Sequence, residues 1–341
     1  MMRHIKKLFR AAAALTEAVM LCGCSAPGQE MQSEPKAPLE VNHTPEYEEG
    51  CITPPFWVVE DEETGAQIFL LGSMHAGGSD VKYPQYVIEA YQNSSYIAPE
   101  MDTVAFTGDI PLHRKCAEYM KLKSGTVGDL IGDSFAETLE FFKSSGIYQS
   151  GMEQMIPYYW ASAASGLITE KSDLDSRYGT ETVLLNQAHK DGKEIREIEG
   201  GEAQYKMMGE IPMSVQLETL EQCIGDDNIA LQAEATVELY EAWRTFDDKY
   251  FSEMTVFDPA EVENPEDWQS YYDMMYTDRQ KKMSDFIVDS LKSGEQGFVF
   301  VGTLHFYAEP SIFTLLSDAG YTTQAIRPEI SPVETGEIPA A

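Results

Sequence analysis

Two segments of this chain deliver a histidine by the same route. Gln67-Ile68-Phe69-Leu70-Leu71-Gly72-Ser73-Met74-His75 and Gly297-Phe298-Val299-Phe300-Val301-Gly302-Thr303-Leu304-His305 are each an apolar run of strand length. Each breaks at glycine and reaches histidine three residues later. Imidazole titrates near neutral pH and is the commonest metal ligand, so a repeated Gly-x-x-His can serve proton transfer or cation binding. A buried strand that stops at Gly-x-x-His sets the ring at a sheet edge, where clefts form. With 25 Gly and 6 His in 341 residues, one such spacing is unremarkable. Two of them, each behind a β-rich run, point to a site.

The elements around them have to position both rings. After His75 come a loop, a helix-like stretch over 84–93, and a second apolar run, Tyr96-Ile97-Ala98, ending at Glu100. After His305 come a loop, a helix-like stretch over 310–319, then Gly320 and a run over 321–326. Strand, Gly-x-x-His, helix, strand is thus written twice. A duplicated unit packed about a pseudo-two-fold would bring the histidines face to face. Phe56 to Val59 predicts a strand that pairs through the turn Thr64-Gly65 with the first histidine strand. Residues 106–150 read as short helices and turns. The pattern then predicts an aromatic-rich helix over 152–168, interrupted at Pro157, and a helix over 180–190 ended by Asp191-Gly192. A strand over 194–198 follows, then an acidic helical pair from Val215 to Tyr250 broken near Gly225-Asp226-Asp227, and an amphipathic helix over 278–291. The fold class is α/β (α+β): a central sheet flanked by helices, with the helical middle inserted between its two halves.

Composition excludes some partners. A formal net charge of −33 argues against nucleic-acid binding and against adhesion to anionic membranes by charge. The N-terminus has the form of an export signal: Arg3, Lys6, Lys7 and Arg10 form a basic start, and 11–21 is a short, mostly apolar stretch marred by Glu17. Leu21-Cys22-Gly23-Cys24 resembles a bacterial lipobox, so residues 1–23 are expected to be a lipoprotein signal peptide and Cys24 the lipidated residue that anchors the chain to a membrane. Residues 24–54, with Pro27, Pro35, Pro38, Pro45 and Pro54 and many Glu, read as a flexible tether. Cys51, Cys116 and Cys223 match no metal knuckle and allow at most one disulfide. Residues 330–341 read as a disordered tail.

Leu70-Leu71-Gly72-Ser73-Met74-His75, Glu100, Tyr178-Gly179, Gly192-Lys193-x-Ile195-x-x-Ile198-Glu199 with Gln204, Phe300-Val301-Gly302-Thr303-Leu304-His305 and Gly320-Tyr321 occur in an order that resembles the TraB/GumN family. That family includes the Tiki metalloproteases of animals and many bacterial lipoproteins of unassigned activity. The resemblance covers 55–329 and implies an α/β catalytic domain. It also implies one divalent metal ion (Mn, Co, Zn or Fe) held by His75, Glu100 and His305, and a peptide substrate. The chain departs from the family pattern at Gln280, where Asn often follows Arg279, and at Phe306-Tyr307-Ala308-Glu309, which lacks the usual glycine. Thr180 also stands before Glu181 where the family's acid directly follows the glycine.

Two imidazoles and a carboxylate suit a catalytic cation, because three protein ligands leave a position for water. Asp102, two residues beyond Glu100, is a candidate further ligand or general base, sharing a face with Glu100 if the strand continues. Glu309 is a second candidate base. Arg279 is a candidate to orient Glu100 or stabilise an oxyanion, and Tyr178 to hydrogen-bond substrate. His43, His113 and His189 receive no role. The expected activity is an extracytoplasmic, lipid-anchored, metal-dependent hydrolase of peptide or small-molecule ester bonds. The alternatives are a metal-free His/Glu esterase and a non-enzymatic lipoprotein that ligates haem or another ligand.

Overall fold

The computed structural model describes residues 44–256 and 258–328. The expected signal peptide, Cys24, most of the tether and the tail lie outside them. Six strands form one mixed sheet: β1 (Phe56–Glu60), β2 (Gln67–Ser73), β3 (Tyr96–Pro99), β4 (Glu194–Ile195), β5 (Gly297–Gly302) and β6 (Thr323–Ala325), in the order β4-β3-β5-β2-β1-β6. β4, β3, β5 and β2 run parallel, while β1 lies antiparallel to β2 and to β6.

The central strands read as continuous apolar runs because both of their faces are covered. Phe69 and Leu71 of β2 and Phe298 and Phe300 of β5 pack into one core, under helices Gln85–Asn93 and Thr180–Asp191 and the end of helix Asp226–Arg244. The alternate residues, Ile68, Leu70, Val299 and Val301, pack into another core, under helices Asp278–Ser293 and Ile312–Asp318. Between β4 and β5 every described element is helical. Val215, Ile229 and Trp268 from this segment pack with Phe142 and Trp160, which lie between β3 and β4, so a third core joins the two helical segments that flank β4 in sequence.

The hairpin of β1 and β2 and the helix before β5 occur as expected. Other elements differ for identifiable reasons. Pro157 opens the helix Pro157–Lys171 instead of interrupting one, since a first-turn proline loses no helical hydrogen bond. The strand over 194–198 shortens to Glu194–Ile195, and that over 321–326 to Thr323–Ala325, because each is an edge strand paired on one side only. The two halves of the repeat are not equivalent. β3 joins the sheet beside β5, whereas β6 joins beyond β1 as its antiparallel neighbour. Residues 52–55, placed in or next to the tether, are buried, and Ile52 and Thr53 donate their N–H groups to Lys82 and Arg244 carbonyls. Among the described residues no helix is long and apolar enough to cross a membrane.

Candidate functional site

Strand order explains how residues far apart in sequence meet. β5 lies between β3 and β2, and all three run the same way. Glu100 follows β3, His305 follows β5 and His75 follows β2, so all three leave one end of the sheet, with His305 from the middle strand. In parallel sheets this carboxyl end is where ligands bind.

Glu100 is 4% exposed and His305 1%. Glu100 Oε1 accepts the Gly302 N–H at 2.7 Å and lies 3.7 Å from His305 Nε2. Its Oε2 accepts from Arg279 Nη2 and from Gln204 Nε2. Arg279, itself buried, also holds Glu199, with Nε 3.0 Å from Oε1. His305 sits in a tight turn, Thr303–Phe306, whose main chain is gripped by Gln280: its Nε2 donates to the His305 and Ala308 carbonyls, both at 2.9 Å. Gln280 thus closes the loop that lacks the family's glycine. One further ring meets His305. Tyr276 lies 5.7 Å away in a T-shaped contact, from a π-helical turn, Asp273–Thr277, that joins helix Pro265–Tyr272 to Asp278–Ser293. Such turns gather at functional sites.

His75 is held differently. Its Nδ1 lies 3.1 Å from Glu181 Oε2, with the two side chains 9% and 10% exposed. Three consecutive residues of another element make this contact. Gly179 lets the chain cross against His75, since a Cβ there would overlap the His75 carbonyl. Thr180 bonds Met74 twice, through its N–H to the carbonyl at 2.8 Å and through Oγ1 from the N–H at 3.1 Å. Glu181 then reaches the ring. The two motifs are tied together by Thr303 Oγ1, which donates to the Ser73 carbonyl, while Trp243 Nε1, from helix Asp226–Arg244, donates to the Gly72 carbonyl.

The electrostatics follow from burial and partners. Burial pushes the Glu100 carboxyl up, although Arg279 opposes the shift. Glu199 is also buried, but Arg279 holds it below the ordinary carboxylate range. Glu181 opposes its burial through His75 and hydrogen bonds, and falls below its usual value. Burial, with Arg279 and His75 nearby, drops His305 well below the ordinary histidine range, so its imidazole is neutral. Glu100 and Glu199 thus share one guanidinium, while Glu181 faces His75.

The sequence-based candidates divide. His75 and His305 line one cavity of ≈ 30 Å³ with Ser73, Met74, Leu239 and Thr303. Arg279 binds Glu100 directly. Asp102 stands apart: β3 stops at Pro99, so it shares no strand face with Glu100. It caps helix Thr103–Gly108 and pairs with His189 Nε2 at 2.8 Å. Glu309 turns away to accept from the Ser311 N–H and Thr314 Oγ1. Tyr178 contributes main chain, packed over Gly77. Glu100, Arg279, Glu309 and Tyr178 are not among the residues that line the cavity, and Glu100 reaches its edge through Gly302 and His305. Glu181, Glu199, Gln204 and Gln280 are the site residues that sequence reasoning left without a role. Glu199 and Gln204 stand in the segments quoted above and Glu181 two residues after Tyr178-Gly179, which was the available signal.

The donor set fits a divalent cation in chemistry and in one spacing. Two ligands about 2.0–2.1 Å from one tetrahedral ion lie about 3.4 Å apart, close to the 3.7 Å between Glu100 Oε1 and His305 Nε2. Among the described residues no three His, Cys, Asp or Glu side chains stand in a group that could hold a metal ion as placed. A cavity of ≈ 30 Å³ holds about two waters.

Neither a curated protein nor a solved structure matches the chain. A family model does, over residues 55–325, which include both histidine motifs, Glu100, Glu181, Glu199 and Arg279. The chain belongs to the TraB/PrgY/gumN family.

Proposed function

We propose that this protein is a metal-dependent hydrolase of peptide or ester bonds, exported and anchored to a membrane through Cys24. His75, Glu100 and His305 would hold one divalent ion of Mn, Co, Zn or Fe. The observation that carries the reading is the gap between Glu100 Oε1 and His305 Nε2: 3.7 Å is too long for a hydrogen bond, is compatible with a shared ion, and lies between two buried side chains. When bound, the ion polarises a substrate carbonyl and acidifies a water.

The chain's own groups do the rest. Glu181 would accept a hydrogen bond from the Nδ1–H of His75, which leaves the lone pair of that ring on Nε2. Burial keeps His305 neutral and able to donate its own lone pair. Arg279 and Gln204 anchor Glu100 Oε2, which fixes Oε1 beside His305 as the oxygen that would hold the ion. Leu239, Trp243 and Phe251 line the cavity and limit water around the reacting groups.

The His75–Glu181 contact supports a second reading, a metal-free hydrolase in which that pair moves the proton. Metal analysis of gently purified protein, with peptide and ester hydrolysis followed before and after chelation, separates the two. Stoichiometric metal and chelator-sensitive turnover support the first reading. Turnover that survives chelation in metal-free protein supports the second.

A further inference from the structure

The two oxygens of Glu100 are used differently. Oε2 accepts from Arg279 Nη2 at 2.5 Å and from Gln204 Nε2 at 3.1 Å, while Oε1 has the Gly302 N–H and the approach to His305. A guanidinium beside one carboxylate prefers a fork across both oxygens. Arg279 gives that fork to Glu199 instead: Nε lies 3.0 Å from its Oε1, and Nη2 lies 3.0 Å from its Oε2. Gln204 spans both carboxylates, donating at 3.1 Å to Oε2 of each. The main chain fixes the same pairing. The N–H groups of Glu199 and Gly200 donate to the Glu100 carbonyl at 2.9 and 3.0 Å, so the segment after β4 is stitched to the end of β3. All three charged side chains are 5% exposed or less, so water does not loosen the arrangement.

We propose that Glu199 is a positioning residue: it occupies the forked face of Arg279, so that Arg279 holds Glu100 by Oε2 alone and Oε1 stays directed toward the space beside His305. This rests on the metal reading for its consequence, though not for its geometry. Without the Glu199 carboxylate, Arg279 is expected to swing onto both oxygens of Glu100 and withdraw Oε1.

The test is Glu199→Gln in the full chain, read two ways. Titration with Co²⁺, followed by its visible d–d absorption, is expected to show affinity about 10–100-fold weaker than wild type with an altered band shape. A crystal structure of the metal-free variant is expected to show Arg279 forked on Glu100. Glu199→Asp, which keeps the carboxylate, is expected to restore most of the affinity. Unchanged Co²⁺ affinity with Glu100 in its original orientation overturns the proposal, even where the melting temperature falls. If wild-type protein takes up no Co²⁺, the metal reading fails, and the orientation of Glu100 in the variant crystal alone decides the positioning role. If Glu199→Gln does not fold, Gln204→Met removes the amide shared by the two Oε2 atoms, and the same two measurements decide.

Discussion

The two histidine motifs are near copies in sequence and opposites in setting. His75 faces a carboxylate at 3.1 Å, within hydrogen-bonding reach, and its loop is pinned by a segment that crosses from helix Thr180–Asp191. His305 faces a carboxylate at 3.7 Å, its ring is fully buried, and its turn is pinned from helix Asp278–Ser293 by Gln280. One carboxylate is close enough to fix a tautomer. The other is spaced as a fellow ligand would be. On the proposed metal reading the difference gives Glu181 and Glu100 different work: the first would orient a ring, the second would share an ion with one.

The sharpest way to break this contrast is to remove the spaced pair. Glu100→Gln and His305→Ala should each take bound metal from about one ion per chain to none, measured by elemental analysis, and bring hydrolysis to background. Glu181→Gln should do less. The amide still accepts from His75, so metal affinity should fall about 10–100-fold while stoichiometry at saturation is kept. Equal losses in Glu181→Gln and Glu100→Gln would mean that both carboxylates are ligands and the contrast is false.

Part of this was legible in the chain. Apolar runs that stop at Gly-x-x-His are visible because buried parallel strands need continuous hydrophobic sequence and their ends need glycine. What the runs do not encode is strand order. That β5 inserts between β2 and β3, placing His305 between Glu100 and His75, depends on crossovers that no local pattern specifies. The repeat misled for the same reason: two similar strand–helix–strand stretches gave β3 and β6, which joined the sheet in unlike places. Asp102 was misread because the sequence does not show where β3 ends; three residues past Pro99 it became a helix cap. Glu181 and Glu199 were hidden because a carboxylate on a helix or loop is usually solvated, and only the tertiary fold reveals that these two are buried.

A smaller effect sharpens the His305 side. Gln280→Ala leaves the His305 and Ala308 carbonyls without the amide that both accept from. Losing such buried partners costs about 1–3 kcal/mol each. For a chain of this size each kcal/mol should lower the melting temperature by about 2–4 °C. Gln280→Asn, the residue the wider family often carries, should fall between wild type and Ala, because the shorter arm reaches one carbonyl less well. If both variants melt with wild type, the turn is held by its own backbone and Gln280 is incidental.

The smallest expected effect is on the pH dependence of stability, and it tests whether His305 is neutral. Its pKa in the folded chain lies well below the usual 6.5, chiefly because burial penalises the charged ring. The unfolded chain therefore binds a proton as pH falls through about 6.5 while the folded chain does not, so stability drops on acidification and levels off only below the folded pKa. The slope from this one group is at most about 1.4 kcal/mol per pH unit. Glu181 adds a loss in the same direction at lower pH, since its folded pKa is depressed from 4.5: its contribution is present above that value and disappears as pH falls through the folded one. Urea unfolding of metal-free protein between pH 7 and 5 should therefore show declining stability, and His305→Asn should flatten that decline. Because burial raises the Glu100 carboxyl and so opposes this decline, the difference between wild type and His305→Asn is the readout: profiles of equal slope would mean His305 carries a proton beside Glu100. The 3.7 Å spacing would then be a loose ion pair, and the two motifs would differ in degree only.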